Sequence, residues 1–243
     1  MYKAKLKDLI IESGGEISDD LFVEKVGVKI IKSTELDMDF MSKFINAKSD
    51  NLPNDYLISG KFNAQLCYLA FNKEKEDKPI EFCRKMIQYG HLSVWNDFYV
   101  TFMIAGASDE TIKEFLAHNE STCNRLTSSN TKSQIDTFYR IQGEKHQRYI
   151  QKKFITEFVE MRNRWKDELG AIEWLTYEYF NLQNLGSKAG AFVYTMNLKD
   201  FKKMIKGRLP QFGNESEVRE IVKMMLCQLT EKYGEIFKDS DSV

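Results

Sequence analysis

Residues 90–131 read GHLSVWNDFYVTFMIAGASDETIKEFLAHNESTCNRLTSSNT, passing through a turn, a strand, a helix and a polar stretch in turn. Gly90 can end a helix in the left-handed conformation, and Pro79 suits the first turn of that helix, so Ile80–Tyr89 is bracketed as helical by its own ends. Phe98, Val100, Phe102 and Ile104 then alternate with Tyr99, Thr101 and Met103. That period of two predicts a half-buried or fully buried strand. Ser108 offers an N-cap, and Asp109 and Glu110 complement the positive end of the helix dipole. The helix they start is expected to run to about His118. Residues 119–134, dense in Ser, Thr and Asn, are expected to form an irregular loop.

Outward from this stretch, Val26–Ile31 (VGVKII) reads as a strand and Leu36–Ala47 as a short helix. Ile150, Phe154, Phe158, Met161, Trp165 and Leu169 recur at three- and four-residue spacing, the stripe of a long amphipathic helix. A second helical segment covers 171–184. Ala191–Met196 (AFVYTM) fits a short strand or the start of the next helix, and 198–206 and 215–237 read as the last two helices. Only three prolines, no low-complexity tract and no internal repeat speak against a flexible linker, so residues 1–243 are expected to form a single domain. The fold class is α/β, helix-rich, with few strands.

Composition bounds the partners. The 243 residues are 42% hydrophobic and 29% charged, ordinary for a soluble globular chain. A formal net charge of −1 gives no global attraction to a nucleic-acid polymer or an anionic membrane, so any anion site must be local. No apolar run approaches the roughly 20 residues that span a bilayer. The N-terminus lacks the apolar stretch of a secretory signal, and a cytoplasmic location is the default expectation. Cys67, Cys83, Cys123 and Cys227 form no C-x-x-C pair and read as reduced thiols, mostly core filler. Three widely spaced histidines give a zinc site no support.

Each candidate residue has a plain explanation beside a functional one. Gly90-His91-Leu92-Ser93 is a helix stop followed by a surface histidine, or a turn whose imidazole and hydroxyl meet a ligand. His118 closes a helix, where a cationic imidazole contributes about 0.3–1 kcal/mol against the dipole with no ligand at all. The segment Thr122–Asn130 is either a polar surface loop or a source of hydroxyls for a phosphate. Arg208 is either a cation in the last turn of a helix or a group aimed at a substrate.

Three separated segments, in the right order over roughly residues 60–237, resemble the flavin-dependent thymidylate synthases. In that family a G-H-x-[ST] turn leads into a strand ending F-T-F, then a helix, then R-H-R-x-x-S-x-x-[EQ]-x-S-x-R-Y. Here Gly90-His91-Leu92-Ser93, Val100-Thr101-Phe102 and Ala117-His118-Asn119 stand at the first, second and R-H-R positions. The central histidine is kept and both flanking arginines are gone. Losing two charge-assisted contacts at roughly 1.5–3 kcal/mol each weakens dinucleotide binding by orders of magnitude. Thr122 and Thr127 replace serines, Arg125 takes the Glu/Gln position, and Ser129-Asn130 replaces Arg-Tyr. Near the C-terminus, Phe192–Lys199, Met204–Arg208 and Glu215–Arg219 resemble W-T-x-N-x-R, F-L-x-L-R and A-Q-x-E-I-R, and Asn181 stands for another phosphate-binding arginine.

The resemblance implies an α+β fold with a small, mostly antiparallel sheet, and a homotetramer whose active sites are shared between subunits. It implies FAD reduced by NADPH, methylenetetrahydrofolate as one-carbon donor, and dUMP or a related pyrimidine nucleotide methylated at C5. It assigns His91, Ser93, His118, Asn119, Asn197 and Lys199 to the flavin. Glu114, Thr122, Arg125, Thr127 and Ser129 go to the nucleotide, and Arg208 to activation of the base. No cysteine nucleophile is needed. The lost arginines leave two further possibilities open. One is a relative with altered substrate or cofactor (pyrimidine hydroxymethylation, for example), with Arg125, Lys132, Lys188 or Lys203 replacing the missing charge. The other is a non-catalytic partner.

Overall fold

A computed structural model of the protein describes residues 5–44, 55–67, 79–117, 122–125, 138–168, 188–207, 210 and 216–234. The chain opens with α1 (Leu6–Glu12), β1 (Glu16–Ser18), β2 (Phe22–Lys25), β3 (Gly27–Ser33), α2 (Met38–Met41), α3 (Asp55–Cys67) and α4 (Pro79–Gln88). A 3-10 turn (Leu92–Trp95), β4 (Tyr99–Ser108), α5 (Asp109–Leu116), β5 (Thr122–Arg125) and β6 (Tyr139–Arg140) follow. Then come α6 (Lys145–Glu168), β7 (Ala189–Asn197), α7 (Leu198–Gly207) and α8 (Glu217–Tyr233). The architecture is α+β, helix-rich, with small and mostly antiparallel sheets, as expected.

The larger sheet has the order β3-β4-β7-β5, every pair antiparallel. Its alternation does what the sequence pattern requires. Val100, Phe102 and Ile104 of β4 lie opposite Met196, Tyr194 and Phe192 of β7, and all six are buried on one face. Helices α3, α5, α7 and α8 cover that face. Phe201 of α7 stacks on Phe102, Phe115 of α5 meets Phe192 and Tyr194, and Ile221, Met225 and Leu229 complete the core from α8. Each such side chain removed from water contributes about 1.5–3 kcal/mol before chain entropy is counted. On the other face, α1 lays Leu6 and Ile10 over Ala105, Ala189 and Ala191. The smaller sheet, β1-β2-β6, pairs β2 with β6 in parallel and receives α6 through Ile155 on Phe22, Tyr139 and Ile141.

Several expectations change. β4 runs on to Ser108 because a bulge at Gly106 (φ 90°) lets the alanines behind it keep pairing with β7. Residues 191–196 are strand, held on both edges by β4 and β5. Among the described residues of 36–47, the helix covers only Met38–Met41, because Asp37 accepts from the Phe40 amide at 2.9 Å and starts it late. Of the long-helix stripe, Phe158 is buried, whereas Ile150 and Phe154 face solvent, since α6 docks through the face of Ile155 and Val159. Only Cys83 of the four free thiols is buried; Cys67 and Cys227 are exposed. The helix expected over 171–184 lies outside the described residues. Among the described residues, no helix is long and apolar enough to cross a membrane.

Candidate functional site

The turn at Gly90 is built from the end of α4. Gly90 has φ 74°, its amide donates to Ile87 O at 3.0 Å, and the His91 amide donates to Met86 O at 2.9 Å. This is a Schellman cap, and it needs the left-handed residue that glycine supplies without strain. His91 then precedes the 3-10 turn, and both His91 and Ser93 face solvent.

Behind them the turn is fixed. Trp95 Nε1 donates to Tyr56 O at 2.8 Å, and its ring stacks on Tyr56 with centroids 5.0 Å apart. Gly60 lets that ring approach: a Cβ there would sit 2.1 Å from Trp95 Nε1. Asn63 Nδ2 donates to Val94 O at 2.8 Å and to the Asp97 carboxylate at 2.9 Å. The imidazole and hydroxyl therefore project from a rigid scaffold.

The C-terminal residues arrive at the same place. Tyr99 at the start of β4 pairs with Asn197 at the end of β7, and Thr122 at the start of β5 pairs with Thr195. Lys199 Nζ donates to Asn96 Oδ1 at 3.1 Å, tying the start of α7 to the turn that bears Ser93. Asn197 is buried and committed to α7: its Oδ1 accepts from the Asp200 amide at 2.9 Å, and its Nδ2 donates to Asp200 Oδ2 at 2.5 Å. Thr101 and Thr195 share a hydroxyl hydrogen bond of 3.0 Å between them. His91, Ser93, Asn197, Lys199 and the Thr122 backbone thus gather at one end of the large sheet.

The other predicted residues divide. Arg125 is exposed and lies farther along β5, opposite Phe192. Glu114 is exposed on α5, which packs on β4, β5 and β7. His118, Asn119, Thr127, Ser129 and Arg208, with Lys132 and Asn181, lie outside the described residues. Two proposed replacements for the lost charges are placed as follows. Lys203 is paired with Asp200 at 3.2 Å. Lys188 stands just before β7, about 30 Å from Asn197 at ~3.3 Å per strand residue.

Within the irregular loop expected over 119–134, Thr122–Arg125 is instead the edge strand β5 on β7, and the rest lies outside the described residues. Cys123 lies in β5, its thiol pushed up by burial while Arg125 acts in the opposite direction. A raised thiol is a poor nucleophile at neutral pH, consistent with chemistry that needs none. Sequence reasoning missed Asn63, Asn96 and Tyr99. Asn96 and Tyr99 stand within a few residues of Ser93, and the partly exposed Tyr99 was visible only as one member of the alternation. Nothing in the sequence marks Asn63, which acts from a helix distant in the chain.

No protein-family profile matches this sequence, and no curated protein matches it either. Solved structures do. The crystal structure of Thymidylate Synthase X (ThyX) from Helicobacter pylori with FAD and dUMP superposes with a TM-score of 0.60 at 13% identity, covering 88% of this chain and 97% of that one. The UMP/dUMP methylase PolB from Streptomyces cacaoi, bound with 5-Br UMP, gives a TM-score of 0.59 at 9% identity over 90% of this chain and 96% of its own. The fold is shared. At such identity the backbone likeness speaks for the fold alone, and the residues must carry the rest.

Proposed function

We infer that the protein is a flavin-dependent enzyme of pyrimidine nucleotides, transferring a one-carbon unit from methylenetetrahydrofolate to C5 of dUMP or a close relative. One observation supports this above the others. Segments around His91, Thr122 and Lys199, far apart in the chain, converge at one end of the large sheet, and they are the segments whose residues resemble flavin and nucleotide contacts. The likeness of fold to a protein crystallised with FAD and dUMP adds weight.

The donor set suits such ligands. An imidazole, a hydroxyl, an ammonium and a partly exposed phenol ring belong to this end of the sheet, and the nearby carboxylate of Asp97 is engaged by Asn63. That is a surface for an anionic, acceptor-rich, planar molecule. When bound and reduced, FAD would supply the reducing equivalents for methyl formation, with NADPH as the hydride source that would restore it. His91, Ser93, His118, Asn119, Asn197 and Lys199 hold the flavin; for Asn197 this means holding the start of α7, because its amide is already spent on Asp200. Glu114, Thr122, Arg125, Thr127 and Ser129 seat the nucleotide. Arg208 stabilises the enolate-like oxygen that develops on the base, a task suited to a guanidinium that never loses its charge. The homotetramer and the single-domain organisation belong to the same proposal.

A second possibility, an exchanged cofactor or substrate, is favoured by Ala117. It ends α5 exposed, offering a methyl group where the resemblance expects a phosphate-binding arginine. Turnover separates the two. Protein supplied with FAD, NADPH, methylenetetrahydrofolate and dUMP should form dTMP, and Arg208→Ala should lower the rate by about 100-fold or more, the usual loss for a group that stabilises developing charge. FAD binding without dTMP formation would favour the exchanged substrate.

A further inference from the structure

We propose that Asn63 is a positioning residue for the candidate site: its single side-chain NH2 ties Val94 to Asp97 and thereby fixes the turn on which His91 and Ser93 stand. The link to ligand binding rests on the function proposed above. Asn63 Nδ2 donates to the Val94 carbonyl at 2.8 Å and to both carboxylate oxygens of Asp97, at 2.9 and 3.0 Å. Ser59 Oγ, one turn earlier in α3, lies 3.4 Å from the same nitrogen. Val94 follows Ser93 directly, so whatever moves Val94 moves the hydroxyl beside it.

Helix α3 holds the turn through one face. Trp95 Nε1 reaches the Tyr56 carbonyl because Gly60 has no Cβ to meet the ring. Asn63 stands three residues beyond Gly60, on the same side of the helix. The turn is gripped from two other directions as well. Asn96 Oδ1 accepts from Lys199 of α7, and the Asp97 carbonyl accepts from Thr34 Oγ1, just past β3, at 3.3 Å. Asn63 differs in spanning the turn, from Val94 inside it to Asp97 beyond it.

The residue type follows from the partners. The Val94 carbonyl and the Asp97 carboxylate both accept, so the group between them must carry two protons on one atom. A short amide supplies them with few torsions to freeze. Leucine matches its shape and supplies none, and an ionised aspartate sets acceptor against acceptor on both arms. The arm to Asp97 is the stronger because its acceptor is charged.

Asn63→Asp and Asn63→Leu break both arms, and the second keeps the question answerable if the first folds poorly. The double variant Asn63→Asp with Asp97→Asn reverses donor and acceptor and restores the link between 63 and 97. Ile155→Val, a core truncation under the smaller sheet, serves as the control for general destabilisation. Hydrogen exchange of the full chain is followed peptide by peptide, and FAD and dUMP are titrated into the same samples at equal folded fraction. Both Asn63 variants should exchange faster over 91–98 with unchanged protection in α5, and bind FAD about tenfold more weakly, the loss of a hydrogen bond to a charged group. The double variant should bind FAD more tightly than Asn63→Asp, and Ile155→Val should bind it as the unmodified protein does. Unchanged exchange over 91–98, unaltered FAD affinity, no recovery in the double variant, or equal weakening by Ile155→Val would each overturn the proposal. Should the unmodified protein bind neither FAD nor dUMP, the function proposed above fails, while exchange over 91–98 still decides whether Asn63 fixes the turn.

Discussion

Asn197 illustrates how far one residue can be read. Its position suggests a flavin contact, yet its amide is occupied by both the backbone and the side chain of Asp200. Asn197→Ala should therefore cost about 1 kcal/mol through loss of the cap, measurable by denaturant unfolding in the absence of any ligand. Gly60 is fixed by packing against Trp95. Gly60→Ala forces that ring away and should destabilise by roughly 1–3 kcal/mol, with a change in tryptophan fluorescence as the turn bearing Ser93 shifts. The cysteines differ sharply: burial pushes the Cys83 thiol up to about 12, with Lys61 partly offsetting, while Cys67 and Cys227 are exposed. A thiol reagent at neutral pH should label Cys67 and Cys227 promptly and Cys83 only on unfolding; prompt labelling of Cys83 would contradict its burial. Gly90 and Ser108 were legible as caps because their roles are local. Asn63 was not, because a side chain's partner across the fold leaves no mark on its neighbours in sequence.

Strands and helices were legible where periodicity was long. The alternation in 98–104 and the spacing in 150–169 announced β4 and α6, although which face α6 buries depended on Phe22 and Tyr139, far from it in the chain. β5 was hidden. Its residues Thr, Cys, Asn and Arg have no apolar alternation, and it exists because the edge of β7 offers unpaired backbone groups. The docking of α6 carries a pH dependence. Burial pushes Glu24 up, but hydrogen bonds from Lys152 and Ser18 and the charges of Lys152 and Arg148 outweigh it, leaving the carboxyl below its ordinary value of 4.5. A carboxyl lowered in the folded state stabilises fully above its unfolded pKa, and that stabilisation is lost as pH falls through the folded one. Exchange protection in the first half of α6 should hold at neutral pH and weaken as the solution is acidified below about pH 4. Glu24→Gln should be weaker at neutral pH and nearly flat across the same range. An unchanged acid response in that variant would assign the effect to another group.

Across the whole molecule, fold and activity rest on different foundations. The order of elements and the antiparallel sheet follow from hydrophobic patterning, and solved structures with 13% or lower identity share them. A binding site depends on far fewer residues, and here the arginines expected around His118 are absent from the sequence itself. What remains at the end of the large sheet is a rigid turn with His91 and Ser93 and the Lys199 ammonium beside Asn96. If that surface seats a flavin next to a pyrimidine nucleotide, each ligand should pre-order groups the other uses, and binding should be reciprocal. The most direct test is a titration of the purified protein with FAD, with and without saturating dUMP, followed by flavin and tryptophan fluorescence. Saturable FAD binding that tightens when dUMP is present is the expected result. Absence of FAD binding up to the highest soluble concentration, with or without dUMP, would leave the fold standing and contradict the flavin-dependent function.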